Sequence, residues 1–416
     1  MEQKKFDFNS FIGMILLGGI MLWYLNTQKA DIETDTSTST EQVTDNTTTA
    51  PDLLNDQELP LAVNDSLQNI ALRNKLGAFA TSAINGKPGE TVIENEVLKL
   101  TISNRGGQIT QALVKNFKTY DSLPLYLIKD KNASFNLNFG TTDNRILNTK
   151  DLLFEPKVTT NGETTVLSMK LKVSESQFLE YRYELSPNDY RVAFSVKSQG
   201  LNTVINSSQK INLDWHLKAY RNEKSMRTEN MYTYYYYKSD DDVEYLQMND
   251  DEVASDIDWV AFKQHFFSSV LMSQTPFENA TLKSVDFEGE ELDSTFTKTF
   301  SLNAPLALAN GELNYDMTWF YGPTNYNLLK TYDTTNLDEI ADLGWGIFGF
   351  LNRTIFYPVF NLLKGFIGNY GLIIILMTIV VRIIMSPVLY KSYLSSAKMK
   401  VIRPEMEEIN KKFPGK

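Results

Sequence analysis

Hydrophobic and polar positions change their rhythm several times along this chain. The first run is "FIGMILLGGIMLWYL", Phe11 to Leu25, extended backwards by Phe6 and Phe8. With those aromatics it approaches the ~20 apolar residues that cross a hydrocarbon layer. Lys4 and Lys5 precede it, and Trp23 and Tyr24 stand where an interfacial aromatic belt belongs. Residues 1–29 are therefore expected to form a membrane anchor. A cleaved signal peptide is the competing reading, but "NTQKAD" follows the run and offers no small-x-small site. Asp31 to Pro51 is acidic, rich in Thr and Ser, and almost without apolar residues. It cannot bury enough surface to offset ordering entropy, so residues 30–89 read as a flexible linker, weakly helical or looped toward Gly89.

From about residue 90 the period falls to two. "EVLKLTIS" alternates, "NRGG" turns, and "QITQALVKNF" resumes; "LEYRYELS", "PNDY" and "RVAFSVKS" repeat the form. Alternation punctuated by Asn, Asp, Gly and Pro continues to about residue 340, which predicts a large antiparallel β-sandwich. "SDDDVEY" and "MNDDEVASDID" read as solvated loops.

The period then lengthens. In residues 344–369, Ile347, Leu351, Ile355, Val359 and Leu363 share one helical face, with Arg353, Tyr357, Asn361 and Lys364 on another. This predicts an amphipathic helix lying in a membrane interface, with Trp345, Phe348, Phe356, Phe360 and Phe366 as the interfacial aromatics. A core helix of the preceding domain would show the same pattern. Residues 370–390 supply about 20 apolar positions bracketed by Tyr370 and Tyr390, a transmembrane span. In residues 391–416, Leu394, Ala397, Val401, Met406, Ile409 and Phe413 keep approximate helical spacing against a charged face. Pro404 is expected to bend or interrupt that helix.

Charge fixes an orientation. The whole chain carries −11, and residues 1–29, 341–390 and 391–416 carry +1, +2 and +4, which leaves −18 for residues 30–340. Basic residues after the second span (Lys391, Lys398, Lys400, Arg403) and acids before it (Asp338, Glu339, Asp342) put both termini inside and the β-domain outside. An acidic middle argues against nucleic acid as a partner. The chain has no cysteine and only two histidines, His216 and His265, so thiol chemistry and thiolate metal sites are excluded.

Arg382 breaks the second span. It lies eight residues before Tyr390, ~12 Å below the cytoplasmic end. An arginine buried at the helix centre costs about 2.5–3.5 kcal/mol on the insertion scale. Two readings stand on composition alone: snorkelling with local bilayer thinning, or a water-filled cavity.

"FLNRTIFYPVFNLLKGFIGNYG", the arginine followed by "IIMSP", and then "SSAKM" and "RPEMEEI" closely resemble the YidC family of membrane protein insertases. "VLKLTISNRGGQITQAL" is similar to the opening strand pair of that family's exported domain, and "WVAFKQHFFSS" to a later segment. The resemblance implies a multi-domain membrane protein with an all-β periplasmic domain, an antiparallel β-supersandwich, plus transmembrane and amphipathic α-helices. It implies a bacterial inner-membrane insertase and chaperone with a cytoplasmic amino terminus. Arg382 would sit in a hydrophilic groove that receives nascent integral membrane proteins. The implied partners are the lipid bilayer, the Sec translocon with SecDF, and the ribosome through segments beyond this chain. A full family member has five core spans; this chain supplies the first, with residues 391–416 as the start of a cytoplasmic helical hairpin. No cofactor, metal or catalytic residue is implied.

Two other classes compete with this reading. A carbohydrate-binding or mutarotase-like protein would need His216 with Asp214 for proton transfer, and no further constellation accompanies them. A membrane-anchored periplasmic scaffold would use "MYTYYYYKS" as a contact surface, although alternating tyrosines equally suit a strand. No phosphate-cradling glycine loop and no metal-ligand spacing appears.

Overall fold

A computed structural model of the chain describes residues 65–246, 249–287, 295–332, 335–344 and 346–412. The anchor expected over 1–29 and the linker as far as residue 64 lie outside the described residues. Two short helices, α1 (Asp65–Leu76) and α2 (Ala80–Asn85), precede the sheets. Phe79, between them, is fully buried and meets the Phe139 ring edge-on at 5.4 Å. The carboxyl-terminal part of the expected linker is thus tied into the domain.

The described strands in chain order begin with β1 (Glu90–Glu94), β2 (Leu98–Ser103), β3 (Ile109–Lys118), β4 (Pro124–Ile128), β5 (Ala133–Gly140) and β6 (Ile146–Asn148). Next come β7 (Glu155–Asn161), β8 (Thr164–Lys172), β9 (Phe178–Leu185), β10 (Arg191–Gln199) and β11 (Ile211–Tyr220). After α3 (Met226–Met231) follow β12 (Tyr234–Ser239), β13 (Asp242–Leu246), β14 (Asp250–Ala254) and β15 (Ile257–Lys263). The last are β16 (Phe267–Phe277), β17 (Ala280–Asp286), β18 (Phe296–Leu306) and β19 (Asn314–Pro323). They form a nine-stranded sheet, β13-β12-β15-β16-β19-β10-β9-β8-β7, a six-stranded sheet, β14-β17-β18-β11-β5-β6, and a four-stranded sheet, β1-β2-β3-β4. Every pairing between them is antiparallel.

Both hairpins read from the alternation form. β2 pairs with β3 and β9 with β10, so each buries alternate residues against a shared core. In β10, Val192, Phe194 and Val196 point inward; in β11, Ile211, Leu213, Trp215, Leu217 and Ala219 do so. The β2–β3 turn requires its glycines. Gly106 and Gly107 have φ of 86° and 62°, and a Cβ on Gly107 would meet the Phe154 and Tyr181 rings at 3.1 Å.

The two large sheets meet through aromatic rings. Phe135 on β5 contacts Tyr181, Phe194 and Trp319 on the opposite sheet, at 5.5–5.8 Å. Trp215 on β11 stacks on Phe262 of β15 at 3.8 Å and meets Trp319 edge-on at 5.0 Å. Each fully buried side chain of this size contributes about 1.5–3 kcal/mol over its exposed state. This layer is what makes the sheets one domain.

Candidate functional site

The outer face of the nine-stranded sheet is covered near β15, β16 and β19. Chain leaving β19 passes through α4 (Tyr326–Lys330) and a 3₁₀ turn at Leu337–Ile340, and folds back onto that face. Leu329, Tyr332, Leu337, Ile340 and Ala341 pack on Trp259, Ala261, Val270 and Phe320 as a second buried cluster. The Trp259 Nε1–H donates to the Thr335 carbonyl at 2.6 Å. This clasp fixes where the chain departs at Asp342 toward its last helices.

Three helical segments follow: α5 (Gly346–Leu351), a π-helical turn at Asn352–Phe356, and α6 (Tyr357–Phe366). The five apolar positions expected on one face are spaced by four, which drifts around a 3.6-residue helix. The wider π turn absorbs part of that drift. Leu351, Ile355, Val359 and Leu363 are accordingly half-buried, whereas Ile347 is exposed. Of the expected interfacial aromatics, Phe348 and Phe366 are 67% and 83% exposed. Phe356 and Phe360 are half-buried, and Trp345 lies outside the described residues.

Asn369 then starts the span helix α7 (Tyr370–Lys412). Its side-chain oxygen accepts from the Gly371 and Leu372 backbone N–H groups at 2.9 and 3.2 Å. A side-chain acceptor there satisfies donors that a helix start otherwise leaves orphaned. α7 is one helix of 43 residues, about 64 Å long. It does not stop at Tyr390. Pro404, expected to bend or interrupt it, stands within continuous helix, as does Pro387. Each proline forfeits one backbone hydrogen bond, and the neighbouring turns on both sides hold the helix through it.

Residues Tyr370–Pro404 are long and apolar enough to cross a membrane. Ile373 is the one buried side chain of α7 among the described residues, in the stretch where α6 and the Phe360 ring come against the start of the helix. Ile374, Ile375, Ile379, Ile383, Val388 and Leu389 are all exposed. Arg382 is exposed among them and has no carboxylate partner among the described residues.

The end of the sandwich from which the chain departs also buries charge. Lys298 and Asp286 pair at 3.3 Å, with side chains 2% and 0% exposed. Lys263, also buried, donates from Nζ to the Tyr232 carbonyl at 3.0 Å. Burial pushes its pKa down to about 8, with Asp342 acting in the opposite direction. The sequence hid these groups, because a lysine in a strand reads as a solvated position.

Glu229 on α3 is buried and accepts the Asn222 and Glu223 backbone N–H groups on Oε2, at 2.7 and 2.8 Å. Burial raises its pKa to about 7, while those two hydrogen bonds lower it; nearby Glu223 adds to the rise and Arg221 opposes it. The folded state thus holds this proton more tightly than the unfolded chain, whose value is 4.5. Stability should fall as pH rises from 4.5 to about 7 and level off above that. Denaturant titrations across this window are expected to show that slope in the parent protein and a shallower one in Glu229→Gln.

His216 and Asp214 lie on the outward face of β11. Asp214 accepts from the Asn303 and Asn136 side-chain amides of the flanking strands, within a ladder of polar cross-strand neighbours. The pKa of His216 is lowered, first by burial; Asp214 raises it and Lys150 lowers it. The carboxylate is committed to amides, which suits a structural role for the pair. In "MYTYYYYKS", Tyr235 and Tyr237 face the core and Tyr234 and Tyr236 the other side of β12. Among the described residues, no group of three or more His, Cys, Asp or Glu is placed to hold a metal ion.

A family model described as the YidC periplasmic domain matches residues 90–358, and one described as the 60Kd inner membrane protein matches residues 362–416. The chain is 34% identical over 431 aligned positions to the membrane protein insertase YidC of Parabacteroides distasonis, covering 98% of this chain and 67% of that protein. It is 34% identical over 430 positions to the protein of that name from Porphyromonas gingivalis, covering 99% and 67%. The crystal structure of the periplasmic domain of the Thermotoga maritima YidC aligns at 11% identity and TM-score 0.30, over 60% of this chain and 92% of that one. The chain spans about two thirds of the length of the relatives it matches in sequence.

Proposed function

The chain belongs to the YidC family of membrane protein insertases, and from that premise we propose that Arg382 serves insertion from a wet groove in the inner membrane. The β-domain would face the periplasm and the far end of α7 the cytoplasm. The basic residues after Tyr390 and the acids before Gly344 support that orientation.

The observation that carries the reading is the setting of Arg382, the one charged residue between Tyr370 and Tyr390, among exposed aliphatic side chains. Lipid is a sufficient neighbour for the aliphatic residues but a costly one for a guanidinium. Water held in a groove open to the cytoplasm removes that cost. The groove would then lower the cost of drawing a client's polar flank partway into the bilayer. At about 4 Å, Arg382 would attract a client carboxylate by ~1 kcal/mol in water and ~4 kcal/mol in a surface-like dielectric. The client's apolar segment moves sideways into lipid and supplies the driving force. No bond is made or broken. The Sec translocon, SecDF and the ribosome are the partners this reading would recruit through the exported domain and the cytoplasmic side.

The chain has no native cysteine, so a lone engineered thiol reports without background. Arg382→Cys is expected to react readily with a small, charged, membrane-impermeant thiol reagent added from the cytoplasmic side. Ile383→Cys, at the same depth on a different face, should react slowly. In a cell that depends on this protein, Arg382→Leu should slow insertion of acidic-tailed clients at least about fivefold, the weight of ~1 kcal/mol of lost attraction. A dry position 382, with insertion undiminished in Arg382→Leu, ends the reading.

A further inference from the structure

Six large side chains stand exposed at the end of the sandwich where β19 finishes. Phe117, Tyr120 and Leu123 belong to the β3–β4 hairpin, Met231 and Tyr232 to the end of α3, and Phe266 to the β15–β16 turn. Contacts join these three segments into one surface. The Phe117 ring meets Phe267 edge-on at 5.1 Å, and Tyr232 stacks on His265 at 4.6 Å. Arg221 donates to the Tyr120 hydroxyl at 2.7 Å, and the Gln264 side chain donates to the Tyr220 carbonyl at 2.6 Å.

Scattered exposed apolar residues are ordinary, but a contiguous set rimmed by polar and charged residues marks a contact surface. Lys118, Lys224 and Arg227 are exposed within this set and form no ion pair with the described residues. Residues 117–123, 221–232 and 263–266 together hold five basic residues and three acidic ones; with the buried Lys263 and Glu229 set aside, four basic residues face two acidic ones. This is a basic island on a domain in which acids predominate.

Its location decides what it faces. The Thr324 N–H, just past β19, donates to the Phe266 carbonyl at 2.7 Å. Two residues on, the Tyr326 ring meets Tyr357 of α6 edge-on at 5.4 Å. The surface therefore borders the segment that leads into the membrane span. We propose that this aromatic and basic rim is a second membrane contact, by which the β-domain rests on the outer leaflet through its anionic lipid headgroups. Aromatic side chains favour the headgroup layer, and each basic residue near an anionic surface strengthens contact about fivefold. The proposal rests on the membrane reading of α6 and α7.

The test uses the full chain in phosphatidylcholine vesicles containing phosphatidylglycerol and a headgroup spin-labelled lipid. Fluorophores are placed singly at Phe266→Cys, Leu123→Cys, Phe366→Cys and Ala309→Cys. Ala309 is an exposed position beyond the opposite end of β19, a strand roughly 30 Å long at ~3.3 Å per residue. Labels at 266 and 123 should be quenched several-fold more than at 309. The difference should shrink without phosphatidylglycerol and in Lys224→Glu/Arg227→Glu. Quenching at 366 but not at 266 and 123 overturns the proposal and leaves the membrane reading standing. Absence of quenching at all of them sinks both. Equal quenching in purely zwitterionic vesicles refutes the anionic contact, and crosslinking of an unquenched 266 label to another protein replaces it with a protein interface.

Discussion

Replacing Lys298 by methionine is expected to destabilise the β-domain by about 3–5 kcal/mol, the cost of stranding a buried carboxylate. Lys298 is the ion-pair partner of Asp286 at 3.3 Å, both side chains are sealed from solvent, and neither Asp286 oxygen has a hydrogen-bond partner among the described residues. Methionine fills similar space without a charge, so the loss is electrostatic rather than a cavity. The double variant Asp286→Leu/Lys298→Met removes both charges and should recover most of the loss, because a buried pair often does no better than apolar residues of the same volume. Denaturant titration of the detergent-solubilised protein, followed by near-ultraviolet circular dichroism, measures all three. A single variant as stable as the parent would mean that Asp286 does not depend on Lys298.

Trp215→Ala is expected to cost a similar ~3–5 kcal/mol through a different cause, an unfilled cavity between the sheets. Trp215 is fully buried on the six-stranded sheet, and its two ring neighbours, Phe262 and Trp319, belong to the nine-stranded one. Removing it unlinks the sheets at their centre, where no chain end can relax into the gap. For a domain of this size each kcal/mol lowers Tm by about 2–4 °C, so the β-domain transition should fall by roughly 6–20 °C. Trp215→Phe keeps much of the packing and should fall far less. If alanine were tolerated within experimental error, the aromatic layer would not be what holds the sheets together.

The β-domain was legible where a strand buries one face, because burying one face imposes a period of two; β7 and β14, which bury no residue, carry no such signal. β10 and β11 show this directly: Val192, Phe194 and Val196, and Ile211, Leu213, Trp215, Leu217 and Ala219, are buried at every second position. Legibility fails where both faces are buried. β15, "IDWVAFK", is covered on its inner side by the sandwich core and on its outer side by the Leu329–Ala341 clasp, so its pattern carries no alternation. Lys263, Lys298 and Asp286 were missed for a related reason, since a charged letter in a strand announces solvent unless its partner is known. For the span, hydropathy marks the apolar stretch but not the end of the helix, because Pro404 looks like a stop and helical neighbours carry the chain through it. Asn369 could have been recognised: an asparagine just before a long apolar run is a capping signal. The setting of Arg382 is not written in its neighbours, because whatever surrounds a membrane helix is drawn from elsewhere.

The clasp of Leu329, Tyr332, Leu337 and Ile340 on the outer face of the nine-stranded sheet has a mechanical meaning. It makes the exported domain and the root of the membrane rod share a load. Tension applied to the domain from outside is borne by a pegged apolar joint, locked by the Trp259 indole, instead of peeling the chain off the sheet strand by strand. The joint yields only when that buried face opens to water, so a pull weaker than that threshold moves domain and rod together.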